Sequence, residues 1–144
     1  MDSAKRVMSG TWGEVWLDGA YVGECYKFQA KDSYTRDKVP MAGKLRPGHK
    51  MTTIEGTGSM GLHKVSSRMA QLIAAEINAG RDPRFTVIAK LDDPDAYGAE
   101  RISFMDVAFD DLTLADWEVA VPGKVEVPFT FGEYEFLDTA EVPS

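Results

Sequence analysis

The sequence predicts a mainly β domain: an antiparallel β-sandwich or barrel of about seven strands with one flanking α-helix. Three observations carry that class. Most apolar stretches alternate with a period of two, as half-buried strands do. One stretch alone has the helical period, with Val65, Met69, Leu72, Ile73 and Ile77 on a single stripe. Strands and helices do not take turns along the chain, which excludes the βαβ series of a parallel sheet.

The first element is a hairpin. In "GEVWLDGAYVGECYKFQAK" the pair Asp18-Gly19 supplies the positive φ angles of a tight primed turn between strand-favouring residues. Its second strand is expected from Ala20 to about Asp32. Residues 31–50, "KDSYTRDKVPMAGKLRPGHK", show no sustained period, contain Pro40, Gly43, Pro47 and Gly48, and hold six Lys and Arg residues. They predict a long loop, and structureless loops of that length are uncommon in compact domains and are usually functional or disordered. From Lys50 the chain alternates again. Thr52, Ile54, Gly56, Gly58, Met60 and Leu62 share one strand face, and the other face is polar apart from Met51.

A helix is expected from near Ser66, stopped by Gly80 and kept from resuming by Pro83. "RFTVIAKLDD" predicts a strand, "DDPDAYGAE" a turn and "RISFMDVAFDD" a further strand. "LTLADWEVAV" and "KVEVPFTFGEYEF" complete the set, separated by Pro122-Gly123. In the last, Val125, Val127, Phe129 and Phe131 alternate while Tyr134 and Phe136 take the opposite parity, so a bulge at Gly132 is expected to restore a common face.

The 144 residues suit a single domain, 1–144, with a core of its own. Residues 1–10, "MDSAKRVMSG", carry no usable motif and no apolar leader, and read as a disordered arm. No apolar run approaches the ~18 residues of a membrane helix. The lone Cys25 excludes an internal disulfide and fits a reducing cytoplasm. Charge is unevenly divided: residues 1–68 carry 11 Lys and Arg against 7 Asp and Glu, and residues 69–144 carry 5 against 16, giving +4 and −11, which sum to the net −7. Such a split suits a basic partner, copies that meet head to tail, or simply a solvated acidic half. The overall acidity argues against a general nucleic-acid binder.

Gly56-x-Gly58-x-x-Gly61 before a helix has the spelling of a dinucleotide-binding turn. That turn needs an apolar parallel strand before it and a helix at once after it. Here "KMTTIE" is half polar and the alternation runs straight through the glycines to Leu62, so they sit inside a strand. We expect Gly56 and Gly58 to keep one face flat for close approach of another backbone or subunit. Asp92, Asp93, Asp95 and Glu100 lack the spacing of a calcium loop, and His49 and His63 lack that of a zinc site. Trp12, Trp16, Trp117 and Tyr34 could stack a sugar or base, though core and interface roles account for them as well. We expect no enzyme, no metal and no cofactor. The alternative to an assembling protein is a monomeric ligand-binding β-sandwich, a sugar- or calcium-binding module.

Strand length favours assembly. Residues 50–63 extended at ~3.3 Å each span about 46 Å, against a diameter of about 37 Å for a domain of this size. Strands that overrun the globule expose edge groups, which a neighbouring copy can satisfy.

Taken in order, "MAGKLRPGHKMTTIEGTGSM", "HKVSSRM", "GRDPRFTVIAKLDD", "GAERISFMDVAFDD" and "EVPFTFGEYEF" resemble the tail tube proteins of contractile phage tails, in particular the XkdM-like family, from about Gly10 to Phe136. The resemblance implies a β-sandwich with a flanking helix. It implies hexameric rings whose strands join into one barrel around a channel, and stacking of those rings into a tube. Implied partners are further copies of the chain, the tail sheath, the baseplate or tube initiator and the tape measure protein, with DNA as transient cargo. The implied location is the virion tail, assembled in the host bacterial cytoplasm. On this basis Tyr34, Arg36, Lys38, Lys44, Arg46, His49 and Lys50, in an inter-subunit loop over residues 33–49, are expected to contact other copies, together with Gly56 and Gly58. Acidic residues are expected to face the channel, with Glu55 the candidate.

Overall fold

Alternation along the strands becomes two sheets with a shared interior. In the computed structural model, residues 6, 9–63, 68–112, 114, 115 and 118–140 are described, all but Met69 with their side chains. Eight strands and one helix follow in the order β1 (Gly13–Leu17), β2 (Ala20–Tyr21), β3 (Cys25–Val39), β4 (Gly48–His63), α1 (Arg68–Asn78), β5 (Phe85–Leu91), β6 (Glu100–Phe109), β7 (Lys124–Phe131) and β8 (Glu133–Asp138). All pairings are antiparallel, along the path β2-β1-β5-β6-β7-β4-β3, with β8 beside β6. The path does not close. Between β1 and β3 lies a cavity of about 590 Å³, lined by Val15, Tyr26, Phe28, Leu91, Ile102 and Phe104 among others.

Local chemistry explains the boundaries. Asp18 (φ 47°) and Gly19 (φ 86°) make the predicted turn, and Trp16 then faces Tyr21 with ring centroids 5.2 Å apart. Helix α1 ends as Gly80 and Pro83 predict. Gly80 takes φ 79°, its N–H donates to the Ile77 carbonyl, and the Arg81 N–H donates to that of Glu76. The expected helix start near Ser66 lies outside the described residues, as does Val65. Of the helix stripe Ile73 is buried, whereas Leu72 and Ile77 are exposed.

The interior sits between the inner faces of the two sheets, with Phe129, Met60, Val87 and Val107 fully buried at its centre. Strand β7 shows the underlying pattern: Val127, Phe129 and Phe131 point inward and alternate with Glu126, Pro128 and Thr130. Burying one such side chain is worth about 1.5–3 kcal/mol.

Four expectations need correction. The strand expected over 20–32 is two strands, because the chain changes sheets at Gly23-Glu24: β2 pairs with β1 and β3 with β4. The loop expected over 31–50 is mostly strand, and the unpaired connection is residues 40–47 alone. Its flanks are exposed on both sides, so no buried face imposes a period on their composition. Residues 110–123, expected to contain a strand, form none among the described residues; Ala120 has φ 66° and the Val121 N–H donates to the Glu118 carbonyl. Gly132 is not a bulge within one sheet but the point where the chain passes from β4 to β6: β7 pairs with β4, and β8 with β6.

Gly132 meets a second irregularity. Two residues of β6, Met105 and Asp106, fall opposite Thr86 alone, and Asp106 takes φ 59°. Beyond this bulge β6 leaves β8 and pairs with β7 through Ala108 and Phe109. The Gly132 N–H donates to the Met105 carbonyl, and a Cβ at Gly132 would stand 2.9 Å from Asp106 Oδ2. A Cβ here would push the Asp106 carboxylate aside and press on the Asp106 Cβ, 3.2 Å away.

Of the arm expected over residues 1–10, residues 1–5, 7 and 8 lie outside those described. Near its end the Ser9 N–H donates to Asp93 Oδ2, and Arg6 lies over the Tyr97 ring.

Candidate assembly surfaces

The long hairpin β3–β4 divides into two halves. From Gly56 to His63, β4 is flanked by β3 on one side and β7 on the other. From Glu55 back to Gly48 it has β3 alone, in the register Ser33↔Glu55 to Val39↔Gly48. The outer half is therefore a two-stranded ribbon standing about 23 Å beyond the sheet at ~3.3 Å per residue. Such ribbons are marginal in water without a partner.

Glycines mark the junction. Gly56 lies opposite Phe131 and Gly58 opposite Phe129. A Cβ at Gly56 would stand 2.5 Å from the Phe131 ring, and one at Gly58 would stand 2.3 Å from the Gln29 carbonyl oxygen and 2.5 Å from the Phe129 ring. The flat face admits aromatic rings of the same chain. The close approach expected at Gly56 and Gly58, of another backbone or subunit, is made on this face by the Phe131 and Phe129 rings and, at Gly58, by the Gln29 backbone. They also remove the remaining basis for a nucleotide turn, since both glycines lie within β4.

The side of the ribbon that continues the core-facing side of β3 and β4 carries Tyr34 with Ile54, Arg36 with Met51, and Lys38 with His49. One extra residue, Thr52, is absorbed by a bulge whose hydroxyl donates to the Thr35 carbonyl. No described residue covers this side. Ile54 is 55% exposed, Met51 and Tyr34 nearly as much, and Leu45 in the 40–47 connection is fully exposed. At the root the charges of Tyr134 on β8 and of Asp32 hold the Tyr34 hydroxyl above its usual titration range. Tyr134, Phe136 and Leu137 extend the exposed apolar surface along β8.

The opposite side of β3–β4 carries Ser33 with Glu55, Thr35 with Thr53, and Asp37 with Lys50, continued inward by Lys31 with Thr57 and Gln29 with Ser59. Glu55 is exposed on this polar side.

The sequence-expected cations Arg36, Lys38, Lys44, Arg46 and Lys50 are all exposed, and none forms an ion pair with another described residue. Sequence reasoning located them, with Tyr34 and His49, but missed the apolar residues between them. Met51 alone left a trace, as the one apolar residue on an otherwise polar face. The aromatic platform does not form among the described residues: Trp16 stacks on Tyr21, Trp12 lies on the turn before β1, Tyr34 reaches Tyr134, and Trp117 is outside the described residues. Asp93 turns inward, its two oxygens accepting the Ser9 and Asp95 N–H groups. Burial pushes the Cys25 thiol up, away from a reactive thiolate. Among the described residues no helix is long and apolar enough to cross a membrane.

Comparison with known proteins agrees with this geometry. Residues 2–138 match the family model described as "Phage tail tube protein". The chain is 34% identical over 134 residues to the phage-like element PBSX protein XkdM of Bacillus subtilis (strain 168), covering 92% of this chain and 91% of that one. Among solved structures it resembles a chain of the PVC sheath-tube complex, an extracellular contractile injection system in its extended state, with a TM-score of 0.70, 7% identity and coverage of 96% and 100%. It also resembles a chain from the tail of an empty GTA particle refined with C6 symmetry, with a TM-score of 0.52, 9% identity and coverage of 96% and 100%.

Proposed function

This chain belongs to the phage tail tube protein family, a structural component of the virion tail and not an enzyme, and on that premise we propose that it self-assembles into stacked hexameric rings forming the inner tube of a contractile tail. The observation that carries the proposal is the ribbon: paired backbone about 23 Å beyond the body, with an exposed apolar side that continues the core-facing side of the sheet. Among the described residues the outer edges of β3 and β8 have no partner strand. Free edges of this kind pair with a neighbouring chain or aggregate, and ring closure removes them. The C6 symmetry of the GTA tail supports six copies per ring.

In this reading Tyr34, Arg36, Lys38, Lys44, Arg46, His49 and Lys50 lie at contacts between copies. The Ser- and Thr-rich side of β3–β4, with Glu55, faces the channel. Hydroxyls with few and balanced charges let DNA or a tape measure protein slide without adhering. Sheath and baseplate or tube-initiator proteins bind the outside and the end of the tube, and assembly takes place in the host bacterial cytoplasm. Electron microscopy of the purified chain over a concentration series tests the proposal. Rings and tubes with six-fold symmetry are expected, and a chain that stays monomeric at high concentration, with and without a tube initiator, overturns it.

A further inference from the structure

We infer that Lys124, Tyr26 and His63 form a contact site for the phosphodiester groups of duplex DNA on the polar side of the β3–β4–β7 sheet. This rests on the tube reading above, in which that side faces the channel, and names a site on the channel wall. Directly opposed residues of antiparallel strands share a face. The polar side therefore runs from Ser59 with Pro128, through Gly61 with Glu126, to His63 with Lys124 at the end of the sheet remote from the ribbon. At that end a bulge sets Tyr26 between Cys25, which packs on the core, and Lys27, which lies opposite Gly61. The extra residue puts the Tyr26 ring on the polar side. A Cβ at Gly61 would stand 2.7 Å from Tyr26 Cζ, so any side chain there would push the ring off the strand.

The ring holds a cation that no carboxylate holds. Lys124 Nζ lies 5.2 Å from the Tyr26 ring centroid, and the His63 ring packs against the same ring with centroids 4.7 Å apart. The neighbouring cations are paired: Lys27 with Glu126 at 3.7 Å and Arg68 with Glu24 at 3.1 Å. Lys124 forms no ion pair with a described residue, and Asp110, beside Pro128, is four residues along β7 from it. Tyr26, His63 and Lys124 are all exposed. An ammonium positioned on an aromatic face keeps its charge and its N–H donors for a ligand, and the tyrosine hydroxyl and the imidazole add donors beside it. Donors grouped around one positive charge suit a phosphate oxygen and read no base. In a ring every copy sets this site at the same level. A duplex carries a negative charge about every 1.7 Å of its axis, so it offers a phosphate to that level at any stage of its passage. A weak contact repeated from ring to ring is left as readily as it is entered, so the cargo still slides.

Nuclear magnetic resonance of the isotopically labelled chain, at a concentration below assembly, tests this by titration with a short blunt DNA duplex at low salt. The exposed cations of the ribbon also attract a duplex, and residue-by-residue shifts keep the two regions apart. The signals of Tyr26, His63 and Lys124 are expected to move with the duplex, to move far less in Lys124→Gln and to move as before in Lys124→Arg. The slope of log affinity against log salt, read from the Tyr26 and His63 signals, should be shallower by about 0.9 in Lys124→Gln, the loss of one phosphate contact. Thermal unfolding verifies that both variants are folded. Movement confined to the ribbon, or movement at Tyr26 and His63 that Lys124→Gln leaves intact, overturns the inference. Equal movement with oligoglutamate overturns it too and assigns the site to an acidic peptide. Each of these failures leaves the tube reading standing, because electron microscopy of the unchanged chain reads tubes separately. If the unchanged chain forms no tubes, the tube reading fails and the site has no channel to face.

Discussion

The two halves of the β3–β4 hairpin share strands and hydrogen bonding, yet they are held by different means. In the inner half, Met60 and Leu62 are buried and Gly56 and Gly58 lie beneath Phe131 and Phe129. In the outer half every residue of both strands is exposed except Gly48. The inner half is ordered by the chain's own core. The outer half has apolar side chains and backbone pairing but no third layer, so most of what it can gain remains to be gained on association. Stability of the folded chain and competence for assembly should therefore be separable along a single hairpin.

The largest test of that contrast is Phe129→Ala. Removing a fully buried ring that also contacts Phe28 and Phe109 should cost about 3–5 kcal/mol, read by urea unfolding of the monomer. Next comes Gly58→Ala. The added methyl meets a backbone oxygen and a ring and should cost about 1–3 kcal/mol by overpacking. A neutral result would show that the junction is looser than its distances imply. Ile54→Ser, four residues along the same strand, should change unfolding by less than about 0.5 kcal/mol while raising the concentration at which rings or tubes form. Equal unfolding costs for Ile54→Ser and Phe129→Ala would erase the distinction between the halves.

The smallest effect concerns a site remote from both. Arg81 donates two hydrogen bonds to Glu76, which holds that carboxyl below the usual range. A depressed folded pKa adds stability above the unfolded value, about 4.3, and the contribution disappears as pH falls through the folded one. Glu76→Gln should thus lower the melting temperature slightly at pH 7 and by less as the pH falls below about 4.3.

Local chemistry made part of this structure legible. Asp18-Gly19 and Gly80 declare their turns because positive φ angles have few residue choices, and β7 declares its inner face because that face is buried. The β3 arm of the ribbon reads as loop because neither of its sides is buried among the described residues, so Tyr34, Arg36 and Lys38 leave no period to detect. The change of sheet at Asp106 and Gly132 depends on where two distant segments meet, which no local pattern encodes. Leu72 and Ile77 look like core residues because an apolar stripe has the same spacing whether the chain itself or a neighbour covers it. Of the candidate surfaces, the cations were visible as a charge run, while Ile54 resembled ordinary strand interior.

The corner at Asp106 and Gly132 has a mechanical consequence. Two separate backbones, β6 and the continuous β7–β8 segment, cross from one sheet to the other at the same place. A force that would pry the sandwich open there is borne by covalent bonds in parallel, not by hydrogen bonds in series. The opposite margin, between β1 and β3, is crossed by one backbone only among the described residues, where β2 runs into β3 at Gly23-Glu24. Under load the molecule should hinge like a book with a doubly sewn spine, opening first along the side held by a single thread.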